Sequence, residues 1–253
     1  MAKFLKLVED AVSDKKQRNV ARKVVKSLQD YIEKNGEDAF RELSPNRKYI
    51  VVGSDFMGKR KPDFFPPTLH PSDIRFYFKK GKRGANPYYD RDELVGGTKH
   101  SITLPFLDSD GNLDRVLDKI KVKQDVLMHE FTHLLDDVRT GLANDLIDLR
   151  QAGGEYADAG EGYYNEPFEL NAYFQGAIGD FEDFMERSPE TLAALSDQMK
   201  DFRSFKEFMF DQQFDDGFIE NLTGENKERV IKRLYQFYED FRKTDLFQKH
   251  VSP

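Results

Sequence analysis

The string His129-Glu130-Phe131-Thr132-His133 is the most informative in this chain. It lies in VLMHEFTHLLDDV, where apolar residues recur at three- and four-residue steps, the period of a helix. Four residues turn an α-helix by about 400°, so the two imidazoles stand one turn apart on one face. From there both can hold one metal ion, and Glu130 can reach a water on that metal and act as a general base. Imidazole and carboxylate ligands with one open position suit zinc, so Zn2+ is the expected cofactor. Two of only five histidines are spent on the string. At these His and Glu frequencies, about 0.01 chance matches are expected. The competing reading is a pair of half-buried structural histidines.

Composition restricts what else can take part. The 253 residues include no cysteine, which excludes a disulfide scaffold, a Cys-ligated zinc, an iron–sulfur cluster and a thiol nucleophile. Any metal must therefore be held by His, Asp, Glu or backbone oxygen. The 22 Phe and 11 Tyr supply large side chains for a core, against a disordered chain. No run of about 18 apolar residues occurs, and MAKFLKLVEDAV lacks the apolar stretch of a signal peptide. The expected location is the cytoplasm, or a virion that carries the protein. Charge is uneven. Residues 1–100 hold 22 Lys and Arg against 14 Asp and Glu, whereas residues 101–253 hold 17 against 32. The candidate ligands and base all fall in the acidic part.

The elements that must position these residues follow from periodicity. Residues 3–34 read as a helix, with Val20, Val24, Leu28 and Ile32 at helical spacing and Asn35-Gly36 as its stop. Segment 37–43 reads as a further turn or two of helix. Short β-branched and aromatic runs predict strands at 49–52, 74–78 and 100–104, with 84–99 a loop. The run Asp108-Ser-Asp-Gly-Asn-Leu-Asp114 invites a calcium test, but Leu113 and Lys119 stand where a loop of EF-hand type needs Gly and Glu. An ordinary Asp/Gly turn is expected. Helices are predicted at 122–139, 142–151, 167–186, 189–213 and 225–242. The expected fold class is α+β: a small mixed sheet with an edge strand, the helix of the His pair, and a mostly helical C-terminal region. Three parts are expected: an N-terminal helical segment (1–45), a catalytic core (46–176) and a helical C-terminal subdomain (177–253).

The string at 129–133 resembles the HExxH signature of the zincin metallopeptidases. Metzincins place a Gly and a third His three and six residues after the second His; here those positions hold Asp136 and Arg139. The resemblance is therefore to gluzincins, in which a Glu on a later helix completes the site. Tyr163-Tyr164-Asn165-Glu166-Pro167-Phe168-Glu169-Leu170-Asn171-Ala172 supplies such a helix, with Asn165 a suitable cap and Pro167 tolerated in the first turn. Glu169 opens a Glu-x-x-Ala string like the third-ligand helix of many small gluzincins. Glu166 belongs to an Asn-Glu pair like that of thermolysin-type enzymes, although Leu170 stands where those have Asp. Glu169 is the preferred third ligand and Glu166 the alternative.

The resemblance further implies that Tyr163 or Tyr164 donates to a developing oxyanion, against a plain packing role for both rings. It also implies a substrate strand upstream of the active-site helix, placed at Ser101, Ile102, Thr103 and Leu104. Asp136, seven residues after His129, either orients an imidazole or belongs to a solvated helix face. His70, His100 and His250 have no ligand spacing. The expected activity is hydrolysis of a peptide or protein substrate by metal-activated water, without membrane or nucleic-acid partners. A different class is a catalytically silent structural or binding protein on the same scaffold, of a kind a phage could encode. Nucleic-acid binding through Lys59-Arg60-Lys61 and Lys79–Arg83 is disfavoured by the net charge of −7.

Overall fold

A computed structural model describes residues 2–44, 47–58, 61–81, 87–94, 97–108, 110–113, 116–140, 164–165, 167–214 and 216–251. The predicted helix at 142–151 lies outside them. The chain divides into two compact units, one of residues 16–152 and one of residues 1–15 with 153–253. The class is α+β, with a mixed five-stranded sheet and otherwise mostly helices.

The first unit is built on the sheet. Strands β1 (Arg41–Ser44), β2 (Arg47–Val51), β3 (Ile74–Lys80), β4 (Tyr88–Leu94) and β5 (Gly97–Leu107) lie in the order β1-β2-β3-β5-β4. Among the described residues only the β3–β5 pair is parallel. Alternation along the strands sends Ile50, Ile74, Phe76, Phe78, Ile102 and Leu104 to one face. These side chains are buried in a core with Val20, Val24, Leu28 and Ile32 of helix α1 (Ala2–Asn35). That helix stops as its sequence predicts: Asn35 Nδ2 donates to the Tyr31 carbonyl, and Gly36 takes φ +56°. Helices α2 (Val116–Val122) and α3 (Gln124–Thr140) follow β5, and α3 lies against β4 and β5. Ile120, Leu127, Phe131, Leu134 and Leu135 join the same core.

Three sequence expectations are corrected in this unit. After a 3-10 turn at Gly36–Ala39, residues 41–44 form β1 rather than helix. All four of its residues are exposed, so no apolar alternation marked it. Segment 84–99 is not a loop, because it contains β4 and the start of β5. The charged run Asp90-Arg91-Asp92-Glu93 hid a strand that pairs on one side only. The strand expected at an edge, by contrast, is interior: Ser101–Leu104 pair with β3 on one side and β4 on the other. The Asp108 turn is as expected. Its carboxylate accepts from the main-chain N–H groups of Asp110 and Asn112, and Gly111 takes φ +85°.

The second unit is helical and has its own aromatic core. It contains α4 (Pro167–Arg187), α5 (Pro189–Ala194), α6 (Ser196–Met199), α7 (Phe202–Gln212), α8 (Asp216–Glu220), α9 (Gly224–Phe241) and α10 (Asp245–His250). Phe181 sits within 5.3–6.2 Å of the rings of Phe205, Phe208, Phe237 and Phe241. The single helix predicted over 189–213 is three. The chain leaves helix before Asp201, whose side chain then caps α7 by accepting from the Ser204 N–H at 2.9 Å. Among the described residues no helix is long and apolar enough to cross a membrane.

Candidate metal centre

Helix α3 places the His pair by splitting its surface. Phe131, Leu127, Leu134 and Leu135 are fully or almost fully buried in the core and hold one side of the helix. His129 and His133 leave another side together, and their Nε2 atoms converge to 3.0 Å. The rings stand nearly perpendicular, at 84°, with centroids 4.6 Å apart. Two nitrogens bound at about 2.05 Å to a tetrahedral zinc are roughly 3.3 Å apart, so the pair needs little adjustment to share an ion.

Glu169 occupies the first turn of α4 and is buried. His129, His133 and Glu169 each offer a ligand atom, and these atoms all lie within 4.8 Å of one another. The three form a buried His–His–Glu group that can hold a metal ion. Two imidazoles and a carboxylate are also a donor set that a borderline cation accepts. Glu166, the alternative ligand, and Tyr163 lie outside the described residues.

The remaining candidates are placed as follows. Glu130 is buried, and its Oε2 accepts from the main-chain N–H of Tyr89 in β4 at 2.6 Å. Asp136 is not on a solvated face. It is buried, and its Oδ1 accepts from Gln17 Nε2 of α1 at 2.9 Å. The ring of Tyr164 packs edge-on against Tyr173 and Phe218 in the helical unit, with centroids 5.0 and 5.9 Å away. Asn165, expected as the cap of α4, binds the 221–226 segment: its Oδ1 accepts from Thr223 N–H and its Nδ2 donates to the Asn221 carbonyl. His70 caps the turn at 71–73, where its Nδ1 accepts from Ser72 N–H.

Sequence reasoning missed Tyr89, Asp137 and His100. All three are buried, and the Tyr89 hydroxyl lies 2.6 Å from Asp137 Oδ2 and 2.8 Å from His100 Nδ1. Their spacing in sequence carries no signal, because the sheet register brings them together: Tyr89 opposes Ile102, which puts His100 diagonal to it on the same face. In comparisons with known proteins, no family model, no curated sequence and no solved structure matches this chain.

Proposed function

We propose that the chain is a zinc-dependent peptidase of the zincin type, with a gluzincin-like set of ligands. One observation carries the reading: a buried His129–His133–Glu169 group beside a buried glutamate, Glu130, on the same helix as both histidines. The ligands would be His129, His133 and Glu169. When bound, zinc supplies a Lewis acid that acidifies water and polarises the scissile carbonyl.

The protein's own residues do the rest. Glu130 takes the proton of the attacking water and returns it to the leaving amine. Its burial beside apolar core residues keeps competing water away from that carboxylate. The substrate strand suggested at 101–104 has no free edge, so the peptide-docking role passes to β4. That strand is an edge of the sheet and lies against α3; outward backbone groups other than the Tyr89 N–H, which Glu130 holds, can pair with an extended peptide.

The test is cleavage of an unstructured protein by the zinc-loaded chain, followed by mass spectrometry, for wild type and Glu130→Gln. Zinc retained by both with cleavage lost in the variant supports the reading. Equal turnover in both sinks it, and zinc binding without cleavage by either assigns the protein to the silent, binding class.

A further inference from the structure

The Tyr89 cluster lies outside the ligand group, and none of its members is explained by metal binding. Its hydrogen bonds have one consistent direction. The Tyr89 hydroxyl has a single proton, and the Asp137 carboxylate 2.6 Å away can only accept it. The contact with His100 Nδ1 at 2.8 Å must then run the other way, with Nδ1–H donating to the phenol oxygen. The chain of donation is His100 Nδ1–H to Tyr89 hydroxyl to Asp137 carboxylate. The imidazole and phenol rings also stack, 19° from parallel.

The other end of Tyr89 meets the candidate base. Tyr89 pairs with Ile102 across an antiparallel ladder, and its N–H points away from β5 to Glu130. On an edge strand such an outward N–H would otherwise face a competing strand or water. Glu130 and Asp137 are seven residues apart on α3, which is two turns or about 10 Å along one side. One tyrosine thus grips both turns, by its backbone at Glu130 and by its hydroxyl at Asp137.

We propose that Tyr89 is a positioning residue: its hydroxyl, fixed by Asp137 and His100, locks β4 to α3 so that its N–H holds the Glu130 carboxylate in one place. The catalytic half of this inference rests on the peptidase reading above; the mechanical half does not. Hydrogen bonds to an ionised carboxylate are the strong kind, so releasing the hydroxyl should loosen the backbone contact measurably.

The experiment is amide hydrogen exchange and imidazole 15N NMR on the full chain for wild type, Glu130→Ala and Tyr89→Phe. The position-89 amide should exchange at least ~10-fold faster in both variants, while amides shared by β3 and β5 keep their protection. His100 should carry its proton on Nδ1 in wild type, facing the Tyr89 hydroxyl and, at 3.7 Å, the Asp137 carboxylate. Should Tyr89→Phe fail to fold, Asp137→Leu removes the acceptor of the hydroxyl with the phenol in place and should speed exchange at position 89 likewise. Unchanged exchange at position 89 in either variant overturns the proposal. In turnover, Tyr89→Phe should bind zinc as wild type does and lose ~10-fold in kcat with KM within about twofold. Wild-type kcat in that variant overturns the positioning role. Exchange changes as expected with no cleavage by wild type would instead remove the peptidase reading and leave the lock standing.

Discussion

Replacing Phe131 by Ala probes whether α3 is anchored well enough to present its histidines. Phe131 is fully buried, on the opposite side of the helix from His129 and His133. Losing the phenyl group without relaxation leaves a cavity of about 100 Å3, and at about 24 cal/mol per Å3 this costs ~2.4 kcal/mol. The transfer of the ring adds ~1.5–3 kcal/mol, for a total of about 4–5 kcal/mol. At roughly 2–4 °C per kcal/mol for a chain of this size, Tm should fall by about 8–20 °C. Thermal unfolding followed by circular dichroism measures it, with Phe184→Ala as control, since Phe184 is 38% exposed and should shift Tm far less. Zinc affinity should fall along with stability in Phe131→Ala, because the helix turn carrying both imidazoles loses its buried anchor. A Tm within about 3 °C of wild type, or no larger a drop than the control, refutes the anchoring argument.

Two further predictions concern the scaffold. A Cβ added at Gly81 would overlap the Pro105 carbonyl oxygen, so Gly81→Ala must push the backbone after β3 away from β5; a loss of ~1–3 kcal/mol is expected in urea unfolding. Asp201 has its pKa held below 3.8, first by the Ser204 N–H it accepts from. A lowered folded value means that this stabilisation is present above pH 3.8 and lost as pH falls through the folded value. Asp201→Ala should therefore lower Tm at pH 7 and converge on wild type in acid, as a pH series of melting curves will show.

Much of the fold could be read where a residue's role is local. His129 and His133 share a helix turn, so their convergence follows from spacing alone, and the α1 stop at Asn35-Gly36 is signalled by the residues that make it. What escaped reading depends on pairing partners. An exposed strand such as β1, or a charged one such as β4, has no apolar alternation, because an edge strand has only one neighbour and need not bury both faces. The role of Ser101–Leu104 was misjudged for the same reason: strand character shows in sequence, but whether a strand is interior depends on what pairs with it. Tyr89, His100 and Asp137 meet only through the β4–β5 register and the packing of α3, so no spacing rule brings them together.

The central claim, that His129, His133 and Glu169 are the ligands of one zinc ion, is tested most directly by X-ray absorption at the zinc edge on the zinc-loaded chain. The expected spectrum has two imidazole nitrogens at about 2.0–2.1 Å and carboxylate or water oxygens at about 2.0–2.2 Å, at one zinc per chain. The Glu169→Gln spectrum should lose carboxylate character while keeping both imidazoles. A chain that retains no zinc, or a zinc shell without two imidazoles, contradicts the claim.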